Sequence, residues 1–298
     1  MKKVSVLLLC LSLLLGGCSF AGEKPSADGF SIGVGGDLAL TVSDGGGTVE
    51  ATWAAVTLDG NGRILHCAID AFNIAVSEGD LDLRSKNEKK EEYGMVAWAG
   101  AEKEWYEQAA IFCEAVEGRT LEEVMSLKSD SAADLTTGCT ISLDPLQHAV
   151  AKAVLQAAEQ PLTADHRLNL KLKAGVTAKE GGYDVTIDAA AVAMAEDKAT
   201  ACMVDCVSGT LSAAVGNSYD NRSKRELGYA YGMAAVTGKL EWFEQMDALQ
   251  AEVVGKTAAQ VSGLLAENGK IDPSLDLASK ATVYIGGQVA LIVAAMSV

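Results

Sequence analysis

The chain is poor in basic residues. Its 298 residues include 24 Lys and Arg against 40 Asp and Glu, which gives a formal net charge of −16. Proteins that bind nucleic acid neutralise phosphates with clustered cations, so this charge balance excludes nucleic acid as a partner. Proline is also scarce, and a composition of 49% hydrophobic and 21% charged residues is typical of a globular protein with room for two cores.

Only 3 histidines are present, at His66, His148 and His166. They are scattered along the chain and do not recur in the internal repeat described below. A zinc site or a Ser-His-Asp triad needs histidine in a fixed arrangement with its partners. We therefore predict no metal site and no hydrolase-type catalytic residues.

Long apolar runs are absent except at residues 4–15, behind two lysines. This run is too short for a bilayer, which needs about 20 residues, and it is typical of a secretory signal peptide. The sequence Leu-Gly-Gly-Cys that ends at Cys18 resembles the lipobox of bacterial lipoproteins, whose cysteine receives a lipid and becomes the first mature residue. We therefore expect a signal peptide over residues 1–18, a tether over 19–28, and an extracytoplasmic protein anchored to the cell membrane through Cys18. The alternative is an ordinary cleaved signal with an incidental cysteine.

Outside the signal region the chain has an odd number of cysteines, namely Cys67, Cys113, Cys139, Cys202 and Cys206. An odd set in an exported protein is a poor basis for a disulfide framework. Cys67 and Cys202 fall at matching places in apolar, strand-like segments. We interpret them as buried free thiols that act as small apolar side chains, with a disulfide as the alternative.

The chain contains a long internal repeat. Residues 84–124 contain Arg-Ser-Lys-Asn-Glu, Tyr-Gly-Met and Glu-Trp-Tyr-Glu-Gln, and residues 222–261 contain Arg-Ser-Lys-Arg-Glu, Tyr-Gly-Met and Glu-Trp-Phe-Glu-Gln in the same order. The period exceeds the roughly 20 to 50 residues of solenoid repeats and approaches the size of a small domain. We predict two tandem copies of one domain, over residues 29–160 and 165–298.

Each copy begins with a predicted antiparallel meander, in which apolar segments are joined by glycine turns such as residues 45–47 and 181–182. Apolar residues then recur at helical spacing, and a Thr with Glu or Gln three residues later opens a second short helix. Strand-like segments at residues 139–143 and 281–285 precede a terminal helix. We predict an α+β fold of two tandem copies of one domain, each a twisted antiparallel sheet with helices on one face.

A short motif precedes each terminal helix. Residues 134–140 read Asp-Leu-Thr-Thr-Gly-Cys-Thr, and residues 276–282 read Asp-Leu-Ala-Ser-Lys-Ala-Thr. Both resemble the Asp-x-x-Ser/Thr-Gly-Ala-Thr/Ser motif of the bacterial FMN-binding domain family, whose members carry FMN attached through its phosphate to the last Thr or Ser. The resemblance implies that the chain carries covalent FMN.

The resemblance assigns a role to each motif residue. The FMN acceptors would be Thr140 and Thr282, and the acidic residues read by a flavin transferase would be Asp134 and Asp276. Gly138 would allow the close backbone approach that a phosphate needs. Lys280 stands at that place in the second copy, so the first copy is the better flavin site. The alternative is that the threonines are simply strand formers and the aspartates helix caps or turn residues.

A second candidate site is a repeated pair of cations. Its residues are Arg84 and Lys86 in the first copy and Arg222 and Lys224 in the second. Together they can hold an anion such as a phosphate or a carboxylate, with Arg making the bidentate contact. The alternative, which we favour, is a solvated loop whose cations pair with Glu88 and Glu226.

A third candidate is the repeated aromatic pair at Trp105-Tyr106 and Trp242-Phe243. Such rings can stack on a flat ligand. Aromatic residues at helical spacing are more often part of a core, and we expect core positions for Trp105 and Trp242.

These observations leave two main functional hypotheses, neither of them an enzyme. The first is a lipid-anchored electron carrier with two FMN-binding-like domains, in which the flavin supplies the electron chemistry and a redox protein is the partner. The second is a cofactor-free envelope lipoprotein that binds a small ligand or a protein. A purely architectural surface protein is a third.

Overall fold

The computed structural model describes residues 29–43, 45–128, 135, 138–214, 220–281 and 285–298. The predicted signal peptide, Cys18 and the predicted tether lie outside the described residues. Asp134 and Thr282, two of the predicted flavin-motif residues, also lie outside them. No helix in the described part of the chain is both long and apolar enough to span a membrane.

The first half of the chain begins with three long strands. They are β1 (Ser31–Ser43), β2 (Gly46–Leu58) and β3 (Ile64–Val76). Helices follow in the order α1 (Lys86–Lys89), a 3-10 turn (Lys90–Tyr93), α2 (Met95–Ala99), α3 (Trp105–Val116), α4 (Leu121–Met125) and α5 (Asp144–Leu155). A short strand, β4 (Ala158–Glu159), ends this half.

The second half also begins with three long strands and continues with helices. Its strands are β5 (Arg167–Lys179), β6 (Gly182–Ala195) and β7 (Lys198–Leu211). Its helices are α6 (Lys224–Leu227), a 3-10 turn (Gly228–Tyr231), α7 (Met233–Thr237), α8 (Trp242–Val253), α9 (Ala258–Ser262), α10 (Leu277–Lys280) and α11 (Gly286–Met296). The predicted mixture of antiparallel sheets and helices is confirmed.

Both sheets are antiparallel meanders, with strand orders β3-β2-β1-β4 and β5-β6-β7. Glycines provide the positive φ of the first turns, at 78° for Gly45 and 76° for Gly181. The turn before β3 again uses a glycine, Gly62 at φ 75°, whereas the turn before β7 places Glu196 at φ 53°. The charged sequence of that last turn therefore adopts a left-handed conformation without glycine.

The two sheets pack face to face, so the molecule has four layers. A central core contains side chains from both sheets, including Trp53 and Phe72 from the first and Ile187 and Met203 from the second. Helices α3 and α5 cover the outer face of the first sheet, and α8 and α11 cover the outer face of the second. Each sheet therefore has helices on one face and the other sheet on the opposite face.

Helix α5 lies directly on β1 because the strand carries glycine at the points of contact. A Cβ atom at Gly33 would lie 1.9 Å from the carbonyl oxygen of Ala153, and one at Gly35 would lie 2.7 Å from the Ala153 nitrogen. Both distances are far below van der Waals contact, which is about 3.5 Å or more between heavy atoms. The closeness of helix and strand thus depends on the two missing side chains.

The prediction of a strand at residues 139–143 is wrong. This segment is an irregular connection into α5. The side-chain oxygen of buried Gln108 accepts hydrogen bonds from the backbone N–H groups of Thr140 at 2.7 Å and Ile141 at 3.1 Å. These donors are satisfied by a side chain on α3, so the segment needs no strand partner. In the matching segment at 281–285, the described residues Ala281 and Ile285 also lie outside any strand.

The predicted caps of the short helices are present. Thr120 and Thr257 each accept a hydrogen bond from the backbone N–H three residues later, and the side chain of the Glu or Gln at that position accepts one from the backbone N–H of the threonine.

The five cysteines of the described residues are free thiols. Cys202 is fully buried as predicted, whereas Cys67 is half-buried. Hydrogen bonding to Cys113, together with burial, raises the pKa of the Cys67 thiol well above its ordinary value.

Candidate functional site

An open cavity of about 830 Å³ lies beside the first sheet. Its polar side is formed by side chains of β1, β2 and β3, namely Asp37, Glu50, Thr52 and Asn73. Its aromatic side comes from the segments around α2 and α3, namely Tyr93, Trp98 and Trp105. Residues just before α5 and in its first turn also line the cavity. A cavity of this size, with apolar walls and a few polar groups, is typical of a small-molecule site.

Lys86 lies in this cavity between two aromatic rings. Its Nζ atom is 4.8 Å from the ring centroid of Tyr93 and 4.9 Å from that of Trp105, within the range of cation–π attraction. Burial lowers the pKa of Lys86 to about 8, although the charges of Glu50 and Asp70 favour its protonated form. Among the described residues, no carboxylate lies within ion-pair distance of this ammonium group.

The position of Lys86 is fixed by the start of α1. Ser85 caps this helix: its hydroxyl accepts from the Glu88 N–H at 3.3 Å, and the Glu88 carboxylate accepts from the Ser85 N–H at 2.9 Å. Buried Asp70 of β3 accepts from the backbone N–H of Asn87 at 3.0 Å. Burial raises the pKa of Asp70 to about 6 despite these hydrogen bonds. The Ser85–Glu88 cap and the hydrogen bond to the Asp70 carboxylate together hold α1 against the edge of the first sheet.

The second half contains the same arrangement around Lys224. Its Nζ atom is 5.3 Å from the ring centroid of Tyr231 and 5.2 Å from that of Trp242. Burial opposes the charge on Lys224, but the neighbouring Cys206, Tyr231 and Asp188 outweigh it and raise its pKa. The two lysines therefore share a geometry and differ in electrostatics.

The arginines of the predicted cation pairs point away from the lysines. Arg84 bonds to Asp82 at 3.0 Å and to Glu92 at 2.8 Å, and Arg222 bonds to Asp220 at 2.6 Å. All three carboxylates are exposed to solvent. The structure therefore does not bring the Arg and Lys of either pair to one anion.

Glu88 and Glu226 make different ion pairs from those expected. Glu88 bonds to Lys171 of β5 at 2.7 Å, and Glu226 bonds to Lys152 of α5 at 3.1 Å. Each of these pairs links one half of the chain to the other. Lys152 also bonds to Asp37, a cavity residue, at 2.8 Å.

The predicted flavin motif of the first half lies partly within the described residues. Thr140 is exposed, and its hydroxyl donates to the side-chain oxygen of Gln108 at 3.1 Å. Gly138 is buried, and a Cβ there would lie 2.6 Å from the Cδ1 atom of Ile111. The lack of a side chain at Gly138 thus permits close packing on α3. The next residue after Thr140, Ile141, lines the cavity.

In the second half, Asp276 precedes α10 with a helical backbone and makes no side-chain cap. Its carbonyl oxygen accepts a hydrogen bond from the hydroxyl of Ser279 at 2.8 Å. Lys280 is exposed at the end of α10. The structure gives Asp276 no role as a helix cap.

The expected core positions of Trp105 and Trp242 are confirmed, since both are buried. Trp105 nevertheless keeps one surface on the cavity. The sequence analysis missed Trp98, which lines the same cavity and is 89% exposed. A single tryptophan in a short apolar segment belongs to no repeating pattern. The sequence therefore does not show whether it lies at the rim of a cavity or in a core.

The sequence analysis also missed a contact between two histidines. The rings of His66 and His166 meet edge to face, with centroids 4.7 Å apart. Burial lowers the pKa of His166, whose ring nitrogens lie 2.8 Å from the Thr163 carbonyl oxygen and 2.9 Å from the Thr57 hydroxyl. No group of three or more His, Cys, Asp or Glu side chains within the described ranges is arranged to hold a metal ion.

The geometry of the first half thus places one desolvated amine, two carboxylates and several aromatic residues around one open cavity. Comparison with protein-family models, with curated proteins and with solved structures finds no match to this chain.

Proposed function

We propose that the chain is an extracytoplasmic lipoprotein that binds a small ligand in the cavity beside Lys86. The observation that supports this function best is the cavity itself, at about 830 Å³ with aromatic walls and a polar side. Its volume lies within the roughly 300 to 1,000 Å³ of small-molecule sites. The lipobox sequence at Cys18 supports attachment to the cell membrane outside the cytoplasm.

The proposal includes two tandem copies of one domain, of which the first carries the site. In support, Glu104 and Glu241 each accept hydrogen bonds from two consecutive backbone N–H groups at the start of the short helix before them. Ser85 and Ser223 cap α1 and α6 with the same capping box. Such detailed repetition of hydrogen bonds is expected from duplication of one domain.

The lining indicates the chemistry of the ligand. Trp98 and Trp105 line the cavity and supply aromatic surface for a flat or apolar group. Glu50 lies on the opposite side and is exposed, with one hydrogen bond from Asn73 at 3.4 Å. It can accept from a hydroxyl or amine of the ligand. A compact ligand with an apolar ring and one or two polar groups fits this arrangement.

Filling the cavity should abolish binding. Ala39 is exposed on β1 and lines the cavity, so Ala39→Trp places an indole in the ligand volume. The wild-type protein, purified from cells that produce it, is expected to release a small molecule on denaturation. Ala39→Trp should release at least about tenfold less, the loss expected from roughly 1.4 kcal/mol of binding energy. The measurement is mass spectrometry of the denatured extract.

The matched control is Thr41→Trp. Thr41 is also exposed and lies two residues further along the same strand, outside the cavity lining. This variant should release as much ligand as the wild type. Equal amounts from the wild type and Ala39→Trp, including none from either, would contradict the proposal.

A second function, an electron carrier with covalent FMN, is favoured by one observation. Thr140 is exposed, and Ile141, the residue after it, lines the cavity. A flavin joined to the Thr140 hydroxyl oxygen through its phosphate would be tethered at the cavity, where the aromatic side chains can contact its ring system. The flavin would supply the electron chemistry.

The flavin hypothesis predicts a mass change. After co-expression with a flavin transferase, the protein should be yellow and heavier by one FMN for each modified copy. Thr140→Ser keeps an acceptor hydroxyl and should keep the flavin, whereas Thr140→Ala should lose one FMN of mass. Intact mass and visible absorption measure both effects. A colourless wild-type protein of unmodified mass would remove this candidate and leave ligand binding as the function.

A further inference from the structure

We propose that Lys86 is a covalent anchor for carbonyl compounds, and that its amine condenses with an aldehyde or ketone bound in the cavity. This inference rests on the ligand-binding function proposed above and names the chemical class of the ligand. It assigns to Lys86 a role that an anion-binding lysine would not have.

The amine of Lys86 is positioned at the cavity. Lys86 lines the cavity, and its Nζ atom is held between the rings of Tyr93 and Trp105. No described carboxylate forms an ion pair with it. Most lysines on a protein surface are fully solvated ammonium ions. This one faces a ligand-sized space with its charge only weakly compensated.

The charges around the amine and its burial act in opposite directions on its protonation. Glu50 of β2 and Asp70 of β3 favour the ammonium form, whereas Lys89 on the same helix and burial oppose it. Asp37 of β1 lines the same cavity but is paired with Lys152. Burial is the largest effect, and the resulting pKa is about 8. At pH 7 the free-amine fraction is then on the order of a hundredfold larger than for an ordinary lysine.

A free amine in such a site can condense with a bound carbonyl compound. The nitrogen lone pair of Lys86 attacks the carbonyl carbon, a C–N bond forms, and a proton moves to the oxygen to give a carbinolamine. A proton taken up from the solvent converts the hydroxyl into water, which departs and leaves an iminium ion. This product keeps a positive charge on the nitrogen, so it keeps the attraction of the Tyr93 and Trp105 rings. Neither the condensation nor its reversal by hydrolysis requires an oxidant or a reductant.

The chain contains its own control for this reaction. Lys224 lies between Tyr231 and Trp242 in the same way, but its pKa is raised. It is also absent from the lining of the cavity described above. A reaction that depends on the cavity and on a free amine should therefore modify Lys86 and spare Lys224.

The test uses pyridoxal, an aromatic aldehyde, with cyanoborohydride at pH 7. The hydride reduces the iminium to a stable secondary amine, which peptide mass spectrometry locates. We expect labelling of Lys86 to be at least about tenfold faster than that of Lys224, as its larger free-amine fraction requires. In Lys86→Arg, which keeps the positive charge, the label on this peptide should disappear. Labelling of Lys86 no faster than that of Lys224 would overturn the proposal.

A second variant separates the covalent step from ligand binding. Ala39→Trp fills the cavity but leaves Lys86 in place, so it should slow the labelling of Lys86 by about tenfold or more. Unchanged labelling would show that the cavity plays no part and would refute the covalent anchor. If the wild type releases a ligand on denaturation but Lys86 stays unlabelled, the covalent anchor fails while the binding function stands. If Lys86 is labelled but no ligand is released, only the binding function fails.

Discussion

Gly33→Ala is expected to lower the free energy of unfolding by about 3 kcal/mol. The new methyl group would lie 1.9 Å from the carbonyl oxygen of Ala153, an atom of the α5 backbone that cannot rotate away. Helix α5 would have to move off β1, which would open the packing around Val150 and Ala149 in the outer core. Urea unfolding followed by far-UV circular dichroism gives the stability.

The control for this prediction is Gly175→Ala in β5. A Cβ at Gly175 would meet only Thr186, at an ordinary contact distance of 3.9 Å. Alanine loses less conformational freedom on folding than glycine, so this change should be neutral or stabilise by up to about 1 kcal/mol. Equal urea midpoints for the two variants would show that α5 does not rest on β1 as described.

Asp205→Asn is expected to destabilise the protein more at pH 4 than at pH 7, by about 2 kcal/mol. Asp205 is buried beside α6, where its carboxylate accepts hydrogen bonds from the backbone N–H groups of Cys206 at 2.7 Å and Arg225 at 3.2 Å. Burial nevertheless raises its pKa from an ordinary 3.8 to about 6. The folded protein therefore takes up this proton at a higher pH than the unfolded chain.

This difference in proton binding determines whether the effect of Asp205→Asn on stability grows or shrinks as the pH falls. As the pH falls from about 6 to about 4, Asp205 is protonated in the folded state before it is protonated in the unfolded state, so it favours folding increasingly. Because asparagine cannot bind this proton, the variant does not gain this stability as the pH falls. The stability difference between wild type and variant should therefore grow as the pH falls. Urea midpoints at pH 7 and pH 4 measure it.

Asp220→Asn is the control with the opposite sign. Hydrogen bonding to Arg222 lowers the pKa of the exposed Asp220 carboxylate to about 2. Its contribution is present above the ordinary value of 3.8 and is lost as the pH falls toward 2. The effect of this variant should be small, as for other surface ion pairs, and should not grow toward pH 4. A pH-independent deficit for Asp205→Asn would mean that Asp205 ionises as an ordinary carboxyl group.

Local patterns predicted much of the fold. Glycine turns and apolar segments identified the meanders, and the spacing of apolar residues identified the two long helices that begin at Trp105 and Trp242. The segment at 139–143 was not predictable in the same way. Its alternating residues have the pattern of a strand, but the amide of Gln108, about thirty positions earlier, satisfies its backbone donors. Only the tertiary structure brings that amide to the segment.

The packing of the two sheets against each other corresponds to a sequence pattern in β2 and β6. Residues 53–58 of β2 and 189–194 of β6 are buried on both faces without interruption. A strand that faces water on one side alternates apolar and polar residues, whereas a continuous apolar run indicates cover on both sides. These runs pointed to a second layer on each sheet, although not to its identity.

The candidate site was predicted in separate pieces. Lys86 and Trp105 were assigned to different candidate sites, and the structure places them in contact at one cavity. The link depends on how α1 packs against α3, and no local pattern encodes that packing. Trp98 gave no signal. The contact between His66 and His166 joins residues a hundred positions apart and was invisible for the same reason.

The shared central core makes the two halves interdependent. Trp53 and Met203 are fully covered only because each sheet shields the inner face of the other. A half produced alone would present a broad, flat apolar surface to water, which favours association. A second identical half could cover that surface. Because both sheets belong to one polypeptide, each inner apolar face is covered during folding without association with a second molecule.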